Sequence, residues 1–351
     1  MSSIRETLGV TPKESGFFMP AEWEEQEAVW LSWPHDENTF PDLLAVEKAY
    51  EEIIRAICPY QTVHLLVRDE ETELAACQHV QDEQFPAGAL HIHHIEYADV
   101  WFRDYGPTFI VNREKHELAM VDWKFNAWGN KYPHLLSDDS IPSVMNRKLS
   151  IRTFLPQMVM EGGSIDVNGK GTVITTEQCL LNRNRNPDLG RTEIEEILCE
   201  CLGCNHVIWL KGGITGDDTD GHIDDIARFV DERTVVCALE EDPDDENYAV
   251  LMENYRILKH ATDQDGRPLT VIPLPMPGRV GDDCRLPASY ANFLITNRSV
   301  LMPEFDHPYD GIARMILEAV FPGRHLLGIN SRALVSGLGA IHCISQQQPI
   351  P

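Results

Sequence analysis

Apolar residues recur along the chain in two alternating rhythms. Four stretches set an apolar run, a polar turn and a second apolar run in series: PTFIVNREKHELAMVDW, SIDVNGKGTVITTEQCLL, ARFVDERTVVCALEE and NFLITNRSVLMPEF. Their turns carry Asn, Gly, Asp and charge, so each stretch is expected to form a β-hairpin. Between them the spacing changes to three and four residues, in AVEKAYEEIIRAI (45–57), RTEIEEILCECLG (191–203), ENYAVLMENYRILKHA (246–261) and DGIARMILEAVF (310–321). That spacing gathers apolar side chains on one face of a helix. A shorter helix is expected near 70–79.

The hairpins mark a repeat. A polar residue stands at or just before the first strand of each: Asp104, Glu161, Asp224 and Asn292, with Cys343 as a fifth. Their separations of 57, 63, 68 and 51 residues cluster near a fifth of the 351-residue chain. A hairpin, helix and strand repeated five times predicts radial symmetry, a five-bladed α/β propeller, with a mixed α/β sheet as the alternative. No Pro- or Gly-rich linker divides the chain, so a single domain is expected over 17–351 after a lead-in at 1–16.

Composition narrows the class of partner. There are 56 acidic against 29 basic residues, a formal net charge of -27. Such a field repels nucleic acid and anionic membranes and concentrates cations. No apolar run approaches the roughly 18 residues of a membrane span, and MSSIRETLGVTPKESG lacks the apolar core of a signal peptide. Nine scattered cysteines, an odd number, argue for reduced thiols and a cytoplasmic protein. A homo-oligomer is compatible with all of this.

Four motifs carry candidate chemistry. WFRDYGP places Asp104 after an aromatic pair, and MEGGSID places Glu161 before two glycines that let backbone pass closely. GDDTDGHIDD holds His222 and Asp224 two residues apart, on one face if the segment is extended. GLGAIHC ends on Cys343. Singly, each has a structural explanation: a turn cap, a surface carboxylate, a satisfied histidine, a buried thiol. Together they fit one reaction. A thiolate is a strong nucleophile and an imidazole can move its protons. The extra carboxylates would hamper a protease, because they raise the thiol pKa. They suit a cationic substrate instead, and a planar guanidinium matches carboxylates in pairs.

Seven segments, in order, carry a family resemblance: MPAEWEEQEAVWLSWPHDENTF, WFRDYGPTF, KFNAWG, EGGSIDVNGKGT, DGHIDDIARF, RLPASYANFLITN and IHCISQQQP. From about residue 17 onward the chain resembles the agmatine deiminases of the guanidine-modifying (pentein) superfamily, relatives of the bacterial peptidyl-arginine deiminases. The resemblance implies a five-bladed α/β propeller that converts agmatine to N-carbamoylputrescine, on the way to putrescine, without metal or organic cofactor. It implies that Asp104 and Asp224 grip the guanidinium and that Cys343 is the nucleophile. His222 would be the general acid and base, with Glu161 orienting it or holding a nitrogen. Trp101 would pack on the alkyl chain and Asp218 would meet the distal amine. The family usually reads Gly-Gly-Gly-Asn before Ile-His-Cys. This chain has Leu338 and Ala340 there, which bears on substrate preference: another guanidine, such as peptidyl-arginine, is the alternative. A guanidine amidinotransferase and a non-catalytic polyamine or cationic-peptide binder are the further rivals.

Other clusters carry less. CECLGCNH crowds Cys199, Cys201, Cys204 and His206 onto a helix end, whereas zinc sites usually pair two separated clusters. HIHH puts His91 and His93 on one strand face. GDDTDGHIDD lacks a calcium loop's closing acid, since that position is Ala227. EEDPDDENY (240–248) reads as a solvated acidic loop.

Overall fold

The computed structural model describes residues 9–80, 85–281 and 283–351, so the first eight residues of the expected lead-in lie outside the described residues. Residues 9–16 are tied down: Thr11 is buried and its hydroxyl donates to Glu200 Oε2 at 2.7 Å.

The chain builds one motif repeatedly. The first unit runs β1 (Gln26–Ser32), α1 (Leu43–Ile57), β2 (Thr62–Val67), α2 (Glu70–Val80) and β3 (Leu90–His94). The second runs β4 (Thr108–Asn112), β5 (Glu117–Val121), α3 (Ile141–Leu149) and β6 (Arg152–Phe154). The third has β7 (Asp166–Val167), β8 (Thr172–Thr176), α4 (Arg191–Leu202) and β9 (His206–Leu210). The fourth has β10 (Ala227–Phe229), β11 (Thr234–Leu239), α5 (Tyr248–His260) and β12 (Thr270–Pro275). The fifth has β13 (Leu294–Ile295), β14 (Ser299–Glu304), α6 (Asp310–Val320) and β15 (His325–Asn330). Units two to five each form a mixed three-stranded sheet, an antiparallel hairpin followed by a parallel strand reached through the helix.

The first sheet differs. Its antiparallel partner comes from the far end of the chain: β16 (Ser345–Pro349) pairs with β1, which pairs in parallel with β2. The polar run SQQQP is therefore a buried strand. Buried polar groups are stable only when bonded, and each of these glutamines makes a side-chain hydrogen bond, although Gln346 Oε1 is left without a partner. Arg103 Nη1 donates to Gln347 Oε1 at 2.7 Å and Trp30 Nε1 to Gln348 Oε1 at 2.9 Å. Gln346 Nε2 donates to the Pro107 carbonyl at 3.1 Å.

Local sequence accounts for the helices. In α1 the Asp42 side chain caps the first turn by accepting from the Ala45 amide. Val46, Ala49, Tyr50, Ile53, Ile54 and Ile57 then line its buried face. Each fully buried Val, Leu or Ile contributes about 1.5–3 kcal/mol. The helix expected near 70–79 forms as α2. The sequence pattern missed α3 because SDDSIPSVMNRKLS is mostly polar and only Ile141, Pro142 and Met145 of that helix are buried.

The core is parcelled between units. One cluster joins strands of the second and third units, one the third and fourth, one the fourth and fifth. A further cluster joins the first unit to the second, and also takes in Leu294, Leu301 and Ile329 of the fifth. No helix among the described residues is long and apolar enough to cross a membrane.

Candidate active site

Each unit delivers one polar residue by the same local device, a short turn just ahead of its first strand. Asp104 lies in the turn Phe102–Tyr105, Glu161 precedes the turn Gly162–Ser164, and Asp224 lies in the turn Ile223–Asp225. Asn292 and Cys343 stand immediately before β13 and β16. The turns bring these residues together across more than 200 residues of sequence.

Gly163 shows how tightly they pack. Its amide donates to Asp104 Oδ1 at 3.0 Å. A Cβ there would lie 2.6 Å from His222 Nδ1 and 2.8 Å from Asp104 Oδ1, so only glycine fits. His222 Nδ1 is 3.6 Å from Asp104 Oδ1 and its Nε2 is 3.9 Å from Glu161 Oε2. Those are charge contacts rather than hydrogen bonds. Both ring nitrogens, Glu161 Oε2 and Asp224 Oδ1 are thus buried polar atoms with no hydrogen-bond partner.

The remaining atoms are held firmly. Arg185 Nε bonds Glu161 Oε1 at 2.8 Å, and its other nitrogens bond Asp220 and the Thr219 carbonyl. Trp128 Nε1 donates to Asp104 Oδ2 at 2.9 Å. His342 spans Asp224 Oδ2 at 2.7 Å and Glu22 Oε2 at 2.9 Å, so each ring nitrogen faces a carboxyl group. Arg228 closes the far side on Glu22 and Asp166, both at 2.6 Å.

Electrostatics divides the roles. Burial opposes charge on His222, but Asp104, Cys179 and Glu161 outweigh it and hold the imidazole's pKa well above its usual value. Burial pushes Asp104 up to about 6, against the pull of His222, so it is a carboxylate at neutral pH. Asp224 is equally buried, yet the His342 bond and charge bring its carboxyl below the ordinary range. Cys343 goes the other way. Burial first, then Asp224, Asp225 and Asp104, raise its thiol well above the usual value. The resting sulfur is a thiol that faces Asp224 Oδ2 at 3.7 Å.

Cys343 and Asp104 line a cavity of about 280 Å³, together with Trp101, Trp128, Tyr132, Asp218 and Leu338. Asp224, His222 and Glu161 are buried in contact with that reacting end. Asp218 is fixed in the same cavity by the Tyr132 hydroxyl, while burial raises its carboxyl. All seven residues expected from sequence therefore belong to one site: a sulfur, an imidazole and three carboxylates at the inner end, Trp101 along the wall, and Asp218 as a further acid.

Against that geometry the comparisons with known proteins are decisive. Residues 18–349 match the profile of the Porphyromonas-type peptidyl-arginine deiminase family. The chain belongs to that family. It is 38% identical to agmatine deiminase of Stutzerimonas stutzeri (strain A1501), over 98% of this chain and 99% of that one. The Enterococcus faecalis agmatine deiminase structure superposes with a TM-score of 0.90 at 33% identity, covering 97% and 98% of the two chains. A cysteine-to-serine variant of C. jejuni agmatine deiminase with substrate bound gives 0.85 at 32% identity, covering 95% and 96%.

Within this family frame, two departures and several supporting residues acquire a setting. Leu338 replaces a usual glycine and adopts φ 76, the left-handed region that favours glycine, while its side chain lines the cavity. Ala340 lacks an amide side chain and is buried three residues before Cys343, whose thiol its backbone pulls slightly downward. Sequence reasoning did not single out Arg185, Tyr132 or Asp225. Arg185 lies in the polar run NRNRNP, which carries no periodic signal. Trp128 lay inside KFNAWG, where its indole on Asp104 was not legible.

Of the other clusters, Glu161, Cys179 and His222 bring one ligand atom each within 4.8 Å, the grouping among the described residues most compatible with a soft divalent metal. The Arg185 guanidinium already sits against Glu161 there. Cys199 and Cys204 meet at 3.6 Å where α4 ends on Gly203. His91 and His93 share a sheet face with His64, whose Nδ1 is 2.9 Å from His93 Nε2, beneath the stacked ring of Trp30. In GDDTDGHIDD, Asp217 closes the loop by accepting from the Thr219 and Gly221 amides, each at 2.7 Å.

Proposed function

We propose that this protein is a hydrolase of linear amidines that converts agmatine and water to N-carbamoylputrescine and ammonia. One observation carries the reading: buried, unpartnered acceptors on Asp224, which faces the Cys343 thiol, and on Glu161, beside His222, stand behind the inner end of a cavity that also presents Asp218. A guanidinium supplies the missing N–H donors and the missing positive charge. The amine at the other end of agmatine meets Asp218.

The steps follow from the charges. Guanidinium binding between Asp104 and Asp224 adds a positive charge near sulfur and favours the thiolate, the thiol proton leaving to solvent as the substrate enters. The thiolate attacks the central carbon to give a tetrahedral adduct. His222, held protonated, gives its proton to a departing nitrogen, and ammonia leaves an amidino-cysteine. Neutral His222 then takes a proton from water. That water adds to the same carbon, the C–S bond breaks as the adduct's hydroxyl proton returns to sulfur, and the product departs with a neutral urea group. Glu161, anchored by Arg185, orients His222 throughout, and Trp101 packs along the alkyl chain.

Incubation with agmatine should release ammonia and N-carbamoylputrescine in equal amounts. Ammonia release from arginyl peptides but not from agmatine would move the assignment to a peptidyl-arginine deiminase. Amidine transfer to an added amine would mark an amidinotransferase.

We further infer that the five units ring a common axis as a five-bladed propeller. The shared cores support this, since they link successive units and also tie the fifth to the first. A crystal structure whose five sheets faced no common axis would overturn it.

A further inference from the structure

The Cys343 sulfur sits in a hostile field. Asp224 faces it, Asp225 and Asp104 lie nearby, and the imidazole adjacent in sequence, His342, is turned away onto Asp224 and Glu22. His222 makes no hydrogen bond to the sulfur. Yet the proposed reaction needs negative charge on that atom. Something must bond it.

The side chain that does so is Asn292. Its Nδ2 lies 3.0 Å from Cys343 Sγ, a short approach for an N–H···S contact. The orientation of the carboxamide is fixed by its other bonds. Oδ1 accepts from the His342 amide at 2.9 Å and from the Cys343 amide at 3.4 Å, while Nδ2 also donates to Asp225 Oδ1 at 2.9 Å. Oxygen can accept those two amides and nitrogen cannot, so the network admits one assignment of the flip. With one N–H on Asp225 and the oxygen on the nucleophile's own turn, the second N–H is left for sulfur. Asn292 is fully buried, where such a bond is worth most.

We propose that Asn292 is a catalytic residue: its carboxamide bonds the Cys343 sulfur and holds negative charge on it as the thiolate forms and attacks. The contact is weak while sulfur is a thiol and becomes charge-assisted once the substrate's positive charge has favoured loss of the thiol proton to solvent, so it favours the reacting state over the resting one. Asp225 is a positioning residue that acts through Asn292. The inference rests on the deiminase reading for its reaction but can be tested without it.

The decisive variant is Asn292→Asp. It keeps the size and the acceptor oxygen that holds the turn, and replaces the donor on sulfur by a carboxylate. Two readouts are needed: agmatine turnover, and the pH profile of Cys343 alkylation by iodoacetamide, which requires no substrate. Asn292→Asp should lower kcat by about 100-fold or more with KM changed little, and move the alkylation profile upward by at least about one pH unit. Asn292→Ala, which adds no charge, should lower kcat about 10- to 100-fold and shift the profile in the same direction; it serves as well if Asn292→Asp fails to fold. Activity and alkylation in Asn292→Asp within about threefold of wild type, with only Asn292→Ala impaired, would reduce Asn292 to a structural tie and overturn the proposal. If wild type did not consume agmatine while the alkylation shifts appeared as expected, the substrate assignment would fail and Asn292 would stand.

Discussion

Two buried cysteines belong to the same site and have opposite prospects. Cys343 lines the cavity with the carboxylates of Asp224 and Asp104 pressing on it and Asp225, whose own carboxyl burial raises well above the usual range, close by; Cys179 is sealed behind His222, with Glu161 near and Arg185 beyond. Burial is the first cause raising both thiols. In Cys179 the neighbouring imidazole then pulls the pKa back down, whereas in Cys343 the next causes all push further up. Judged by resting acidity, Cys179 would look the better nucleophile. The difference teaches that reactivity here is conferred by what enters the cavity, since only Cys343 has an entering cation to answer its carboxylates. A thiol's resting acidity and its catalytic fitness are separate properties in this site.

The largest effect should therefore fall on one sulfur. Cys343→Ser is expected to abolish agmatine turnover while leaving the melting temperature close to wild type, because an alcohol oxygen is far less readily ionised. Cys179→Ala should keep turnover and cost about 1 kcal/mol of stability, as an ordinary core truncation does. Equal losses of activity in the two variants would erase the contrast.

A second test asks whether the carboxylates serve a cation without a partner anion. Arginine differs from agmatine by a carboxylate, which would enter a cavity bearing Asp104 and Asp218 in a chain of net charge -27. Such like-charge placement costs several kcal/mol, so kcat/KM for agmatine should exceed that for arginine by about 100-fold or more. Comparable values would leave the family intact but remove the agmatine assignment.

The third test separates resting from substrate-bound thiol. Because its folded-state pKa is raised, Cys343 is protonated at neutral pH and becomes thiolate only as pH climbs into the alkaline range. Neutral iodoacetamide should thus react slowly at pH 7 and faster as pH rises. A cationic haloacetamidine should react much faster at pH 7, roughly tenfold or more, by supplying the missing charge. Asp224→Asn should narrow that ratio, since it weakens cation binding and relieves repulsion at once. Similar rates for both reagents, unchanged by Asp224→Asn, would show that the carboxylates do not govern the sulfur.

The repeat was legible because hairpins write alternating patterns and fixed turn chemistry into contiguous sequence. Asp104, Glu161 and Asp224 were legible for the same reason: each stands at a set place before a recognisable strand. The supporting groups were not. Arg185 reaches Glu161 from a loop without periodicity, and Asp225 differs from Asp224 only in which way its side chain turns. Asn292 was visible as a polar element of the repeat, yet its bond to Cys343 depends on two turns 51 residues apart meeting in space. The closure of the first sheet was hidden too. SQQQP has no apolar face, and it becomes a buried strand only because Arg103, Trp30 and Pro107 offer partners to its glutamines.

The smallest expected effect concerns Leu338, at the outer part of the cavity. A non-glycine residue at φ 76 carries roughly 1–2 kcal/mol of backbone strain. Leu338→Gly removes that strain but adds chain entropy to the unfolded state, about 0.5–1 kcal/mol. The two nearly cancel, so the melting temperature should rise by a degree or two at most. The residue, however, also lines the cavity that Trp101 and Asp218 line. Removing its side chain leaves the inner end untouched and opens room beside the substrate's alkyl chain. Agmatine kcat should then hold while its KM rises about two- to fivefold, as a modest apolar contact is lost. Guanidines bulkier than agmatine should gain relative to it. That pattern would place substrate choice in the outer cavity and guanidine chemistry in the inner one. A fall in kcat without a change in KM would instead mean that residue 338 sets the position of the turn bearing Cys343, and the division between the two ends of the cavity would be lost.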